Sequence, residues 1–135
     1  SPTEVIVEVS FPRPAPGAAL AEFSYRRGDL PIVLVATDVT LDGQGRIDRI
    51  RIVVGGVADR PLRAVTAEAS LLGRLPDQNA IADAAELVRF EVDPPGDAVA
   101  GTTYRRQLSG ALATRALAES VQRLHSGKPS DGEAR

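Results

Sequence analysis

The sequence contains no cysteine. That absence removes disulfides, thiolate metal sites, iron–sulfur ligands and a cysteine nucleophile from this polypeptide. Histidine occurs once, as His125, so zinc sites built from clustered imidazoles and thiolates are excluded, and the carboxylates show neither HExxH nor EF-hand spacing. No stripe of one charge sign exists. The 16 basic and 18 acidic side chains are interspersed and leave a net charge of -2, which provides nothing to neutralise a phosphate backbone, so nucleic acid is not an expected partner. Long apolar runs are missing too. The longest nearly uninterrupted one, Leu30 to Ala36, falls far short of the ~20 residues of a membrane-spanning helix. With no charged-then-apolar leader in the opening residues, the expectation is a soluble protein. Methionine is also absent and the chain starts at Ser1, which predicts a fragment, a cleaved product or an expressed domain of something longer.

What is present suits an ordinary folded domain. The 135 residues are enough for one buried core, and 43% hydrophobic with 25% charged residues is the balance of a globular protein. We expect one domain over residues 1–125 and a flexible tail over 126–135, where Ser126, Gly127, Lys128 and Pro129 begin a polar stretch. In the first segment Thr3, Val5, Val7 and Val9 alternate with Glu4, Ile6, Glu8 and Ser10, a period of two that suits a half-buried strand. Pro12, Pro14 and Pro16 then place a loop over Phe11 to Gly17. A second strand is expected from about Leu20 to Arg26. The Val-, Ile- and Thr-rich stretch Leu30 to Leu41, the turn Asp42-Gly43-Gln44-Gly45, and Arg46 to Val54 together read as a hairpin.

After Gly55-Gly56 the texture changes to Ala, Leu and Glu, which favour helix over strand. Three helices fit. Thr66 is placed to cap a short one that Gly73 closes. Ile81, Ala84, Ala85 and Val88 share one face of a second, from roughly Asp77 to Phe90. A third runs from about Val99 to His125 with Tyr104, Leu108, Ala111, Leu112, Arg115, Leu117, Val121 and Leu124 near one side. Strands first and helices second predict an α+β fold: an antiparallel β-sheet packed on one face by three C-terminal helices.

Three features invite a chemical reading. The pair Gly55-Gly56 follows a strand but has neither GxGxxG nor GxxxxGK[ST] spacing, so we read it as a sharp backbone turn rather than a phosphate cradle. His125 falls at the negative end of the last helix, an ordinary place for a cation, and is not expected to be catalytic. Ser24-Tyr25-Arg26-Arg27-Gly28-Asp29 lies between two strands. Two guanidiniums and a carboxylate on a loop can hold an anionic or hydrogen-bonding ligand. On spacing alone the preferred reading is a solvated turn in which Arg27 pairs with Asp29.

Four segments in order resemble the C-terminal domain of molybdenum hydroxylase flavoproteins, the FAD-binding medium subunit of the carbon monoxide dehydrogenase and xanthine dehydrogenase family. They are the strand and loop running from Phe23 through Tyr25-Arg26-Arg27-Gly28-Asp29 to Val33; Arg51-Ile-Val-Val-Gly-Gly-Val-Ala-Asp-Arg-Pro-Leu-Arg-Ala64, similar to a "GGVA..P.RA" turn; Ala67-Glu-Ala-Ser-Leu-Leu-Gly73; and Tyr104-Arg-Arg-Gln-Leu108 ahead of Leu112-Ala-Thr-Arg-Ala-Leu117. The likeness runs over roughly residues 2 to 121.

This resemblance implies antiparallel strands followed by three helices, in agreement with the reading from periodicity. It implies FAD held mainly by two preceding domains of the same subunit, with the molybdenum cofactor on a large subunit and iron–sulfur clusters on a small one. The domain itself would cover the isoalloxazine side of the flavin and help to dock the partner subunits, in a cytoplasmic enzyme, with no catalytic residue and no metal ligand of its own and no activity alone. By position, Arg26, Arg27 and Asp29 fall on the loop that approaches the flavin in relatives. A lysine that often contacts the ring there aligns with Glu22, which would repel electron density on a reduced flavin. Tyr104, Arg105 and Arg106 are read as locking the last helix onto the sheet, the alternative being that they face another subunit. Substrate choice belongs to the molybdenum site, so carbon monoxide, a purine, an aldehyde or an N-heterocycle all stay open. The competing reading is a purely structural interaction domain that reaches no cofactor.

Overall fold

The computed structural model describes residues 5, 7–10, 13–26 and 28–127. Four strands come first: β1 (Ala18–Phe23), β2 (Val33–Leu41), β3 (Ile47–Gly55) and β4 (Leu62–Arg63). Helices α1 (Val65–Leu71), α2 (Gln78–Glu91) and α3 (Thr102–Ser126) follow. The strands form one antiparallel sheet in the order β1-β2-β3-β4, so the expected α+β layout of strands, then helices, holds.

Alternation along the strands decides which face the helices cover. Val33, Val35, Thr37 and Val39 of β2 are buried, and across the register they meet Ala19 and Ala21 of β1 and Ile50, Ile52 and Val54 of β3, also buried. Each fully buried Val or Ile stabilises the fold by about 1.5–3 kcal/mol relative to exposure. On the opposite face Leu20, Glu22, Arg49 and Arg51 are exposed, and Arg49 pairs with Asp38 at 3.4 Å. The β2–β3 hairpin turns where expected, with Asp42 Oδ1 accepting from the amides of Gln44 (2.8 Å) and Arg46 (2.9 Å).

Strand β4 is a two-residue element that periodicity did not mark. Its shortness is offset by a side chain: Glu68 of α1, buried, accepts from the Ile52 amide at 2.9 Å, so the edge of β3 stays satisfied where pairing stops. The other backbone group of Ile52 accepts from Ala64 N–H at 2.9 Å. Arg63 grips Glu68 with two nitrogens at 2.6 to 3.0 Å. That hydrogen bonding, and then the charge of Glu68, hold the Arg63 guanidinium above its ordinary pKa.

Two helix expectations need correction, the cap of α1 and the buried face of α3. Thr66 does not cap α1. It lies inside the helix, and the amides of Thr66 and Ala67 donate to the Glu91 carboxylate at 2.8 and 3.0 Å. A carboxylate from the end of α2 thus supplies both the acceptors and the negative charge that a helix start favours. Gly73 does end α1, at φ 74°, and its amide donates to Ile47 O at 2.8 Å. Helix α2 starts where the sequence says, Asp77 Oδ1 accepting from Ala80 N–H at 2.8 Å, and Ile81, Ala84, Ala85 and Val88 are buried as expected.

The buried face of α3 is displaced from the expected one. Leu112 and Leu117 are inside, but Ala111 and Arg115 are exposed, while Arg105, Ser109, Gly110, Ala113, Ala116 and Ser120 are buried. Small residues let the helix lie close on the sheet, so hydrophobicity alone does not mark the stripe. The buried hydroxyls there are satisfied: Ser109 Oγ donates to Arg105 O (2.8 Å), and with the Thr37 hydroxyl donating to Ala116 O (3.2 Å), Ser120 donates to Thr37 (2.7 Å).

The strand expected over Thr3–Val9 is not formed by the residues described there. Val5, Val7 and Val9 are exposed, Val7 by 95%, and carry no strand. Among the described residues they pair with no strand of the sheet. Thr3, Glu4 and Ile6 lie outside the described residues, as do Phe11, Pro12, Arg27 and residues 128–135 of the expected tail.

Candidate functional site

Antiparallel order brings the end of β1, the start of β2 and the end of β3 to the same end of the sheet. Three connections therefore meet there: the β1–β2 loop (24–32), the turn after β3 (56–61) and the segment before α3 (92–101). Arg105, in the first turns of α3 and 8% exposed, joins them. Its Nη1 donates to Ile32 O at 2.7 Å and to Gly56 O at 2.9 Å, and its Nη2 to Asp97 Oδ2 at 2.6 Å. Asp97 Oδ1 in turn accepts from the amides of Val99 (2.9 Å) and Ala100 (2.8 Å).

Gly56 makes this convergence possible. Its φ is 81°, and a Cβ there would lie 2.3 Å from Ile32 O. The glycine pair is thus a turn and a close approach of two backbones, as read from the sequence, and its carbonyl serves a guanidinium rather than its amides a phosphate.

Aromatic rings cover the same end. Phe23, at the end of β1, meets Tyr25 edge-on at 5.8 Å and Tyr104 edge-on at 6.3 Å. Tyr25 also donates to Val99 O at 3.3 Å. Of the Tyr104-Arg105-Arg106 run, Tyr104 packs on Phe23, Arg105 is the buried bracket, and Arg106 ties down the end of α2 through Val92 O (3.1 Å) and Asp93 (2.5 Å). The locking role read from the sequence is what these contacts describe.

Of the candidate ligand-binding residues, Arg26 and Asp29 sit on the β1–β2 loop and are exposed, with the Asp29 amide donating to Arg26 O at 3.3 Å. Arg27 lies outside the described residues. Leu30 is 92% and Tyr25 60% exposed on the same loop. Glu22 is exposed on β1, opposite Leu34. His125 is in the last turn of α3 at the other end of the helix, beside an open groove shared with Ile81, Ala118 and Val121. Among the described residues no three His, Asp or Glu side chains gather as metal ligands, and no helix is long and apolar enough to cross a membrane.

Asp97 was not singled out by the sequence, although its Asp-x-Val-Ala-Gly context ahead of a helix is a turn signal. The amides of Ala100 and Val99, and then Arg105, hold its carboxyl below the usual carboxylate value of 3.8. Its folded pKa being depressed, the stability it contributes is whole above that value and is lost as pH falls through the lowered one. Urea midpoints of the parent and Asp97→Asn should therefore differ by the same amount at about pH 7 and about pH 5 and converge below about pH 4. A difference that persists unchanged into stronger acid would show that the carboxylate charge is not what Arg105 uses.

An antiparallel sheet backed by three helices, with its loops bracketed by a buried arginine at one end, defines an α+β domain whose connections converge at that end. The chain belongs to the CO dehydrogenase flavoprotein C-terminal domain family, which matches residues 18–120. It is 37% identical over 131 residues to the 6-hydroxypseudooxynicotine dehydrogenase complex subunit alpha of Paenarthrobacter nicotinovorans, covering 96% of this chain and 44% of that protein. It is 32% identical over 94 residues to the glyceraldehyde dehydrogenase medium chain of Sulfolobus acidocaldarius, covering 70% of this chain and 33% of the relative. Carbon monoxide dehydrogenase from Hydrogenophaga pseudoflava superposes with a TM-score of 0.75 at 30% identity, over 79% of this chain and 37% of that one. The chain thus spans less than half the length of the curated relatives it matches, and it is a C-terminal domain of the molybdenum hydroxylase flavoprotein type.

The flavin that this family implies fits these residues in part. Dinucleotide phosphates need free backbone amides in a glycine loop or at a helix start. Here the amides of Thr66 and Ala67 at the start of α1 are taken by Glu91, and Gly56 is pressed against Ile32, so neither place offers a phosphate cradle. The β1–β2 loop is different in kind: exposed apolar groups, Tyr25 and Leu30, stand beside a cation, Arg26, and a carboxylate, Asp29. Those groups suit a flat ring with a polar edge.

Proposed function

We propose that residues 1–125 are the C-terminal domain of the FAD-binding subunit of a molybdenum hydroxylase, with 126–135 a tail, and that the domain closes over the isoalloxazine side of the flavin. The observation that carries this reading is the bracketed β1–β2 loop, which is exposed at its tip yet tied at its base to three other segments. Flavin, when bound, supplies the redox chemistry. Arg26, Arg27 and Asp29 orient and polarise its ring edge, and Tyr25 and Leu30 exclude water beside it. FAD is held mainly by the preceding domains of the subunit, and the chain alone is inactive. In the assembled cytoplasmic enzyme the domain docks against the iron–sulfur small subunit and the molybdenum large subunit, on the path by which electrons reach FAD from molybdenum through the clusters. The relatives' names, which speak of a hydroxylated pyridine alkaloid derivative, glyceraldehyde and carbon monoxide, support an oxidoreductase complex whose substrate is chosen elsewhere.

The test is made in the full-length flavin subunit. Arg26→Ala removes a cation that favours the reduced anionic ring and should lower the flavin reduction potential. Asp29→Ala should raise it. Visible absorbance should shift in both. Unchanged spectra and potentials in both variants would favour the competing reading, a structural interaction domain without cofactor contact.

A further inference from the structure

We propose that Arg105, held by Asp97, is the positioning residue that sets the β1–β2 loop against the flavin. This rests on the flavin-facing reading above and names the device within the domain that makes it work.

The loop has a narrow neck. Ile32 N–H donates to Phe23 O at 2.8 Å, so its two ends meet, and the described residues between Ser24 and Pro31 lie beyond them. Arg105 grips that neck at Ile32 O and, with the same Nη1, the β3 turn at Gly56 O. Two carbonyls and a carboxylate are thereby bound to one rigid planar group, which a lysine ammonium on a flexible stem cannot reproduce. Asp97 supplies the counter-charge to a guanidinium that is nearly buried, and its other oxygen fixes the segment carrying Val99. Val99 O accepts from Tyr25 on the loop itself. The 97–99 segment therefore reaches the loop twice, at the neck through Arg105 and just beyond it through Tyr25. Nη1 and Nη2 are committed, while Nε has no partner, so the orientation of the fork depends on these bonds alone. Loosening the bracket lets the charges of Arg26 and Asp29 move relative to the ring without removing either.

The experiment uses the full-length, FAD-loaded flavin subunit carrying Arg105→Gln, Arg105→Lys or Asp97→Asn. Arg26→Ala and Asp29→Ala, made singly, serve as references, and Glu68→Gln as a variant that weakens the fold away from the loop. Flavin absorbance and reduction potential are read in each, alongside thermal stability. The expected result is that Arg105→Gln and Asp97→Asn shift the flavin bands and potential from the parental values, as the single loop variants do, that Arg105→Lys does not restore them, and that Glu68→Gln lowers stability with the flavin signals unmoved. If the loop variants shift the flavin but Asp97→Asn and Arg105→Gln keep the parental spectrum and potential, the positioning role is wrong and the flavin-facing reading stands. If the loop variants shift nothing, both fall. Should Arg105→Gln fail to fold, Asp97→Asn, whose side chain is half exposed, decides alone.

Discussion

Glu68→Ala should lower stability by about 2–3 kcal/mol and the thermal midpoint by roughly 10 °C. The reason lies in what the carboxylate replaces. Strand β4 pairs with β3 only at Val53 and Val54, and the next donor along the edge of β3, the Ile52 amide, has Glu68 Oε1 as its acceptor. Ile52 is fully buried, so an alanine leaves an amide with neither protein nor bulk water to bond, a loss of about 1–3 kcal/mol by itself. Arg63 loses its partner as well, but its side chain is half exposed and water can take over, so it adds little. Glu68→Gln separates the two contributions, because its amide oxygen can still accept from Ile52. It should cost about 1 kcal/mol. Equal losses for Gln and Ala in calorimetry would assign the stabilisation to charge pairing with Arg63 and overturn this account.

Much of this architecture was legible because it rests on short-range rules. Alternation in Val33–Val39 and Ile50–Val54 marks the buried face of the hairpin, and Asp77 and Gly73 delimit helices by local hydrogen bonding and a left-handed turn. What escaped was decided at long range. Glu91 caps α1 from 24 and 25 residues away, so Thr66, the residue of the right type in the right place, was the natural but mistaken choice. The two residues of β4 have no periodicity to detect. Val5, Val7 and Val9 have clear periodicity, yet among the described residues they pair with no strand of the sheet. The site divides the same way. The loop carrying Arg26 and Asp29 could be placed between two strands from sequence alone, whereas Arg105 and Arg106 are chemically identical neighbours. Only the phase of the small-residue stripe Ser109, Ala113, Ala116 and Ser120 distinguishes the buried one from the other.

Gly56→Ala should be the most damaging single substitution at the loop end, with a loss of about 4 kcal/mol or failure to fold. Two costs combine. A residue with a Cβ held at φ 81° is strained by about 1 kcal/mol or more. The added carbon would also stand 2.3 Å from Ile32 O, 3.1 Å from its carbonyl carbon and 3.3 Å from Val33 Cα. All three are backbone atoms of a central strand and its approach, and they cannot swing aside as a side chain could. Separating them pulls apart the two carbonyls that Arg105 Nη1 holds at 2.7 and 2.9 Å, which leaves a buried guanidinium short of acceptors. Gly73→Ala isolates the strain, since Gly73 has φ 74° and open space around its missing Cβ. It should lower stability by only about 1 kcal/mol. Urea unfolding of the two variants side by side measures the difference, about 3 kcal/mol, as the value of the close approach. Comparable losses for both would mean that backbone conformation, not the contact between Gly56 and Ile32, is what excludes a side chain there, and the bracket beneath the loop would then tolerate more separation than its geometry implies.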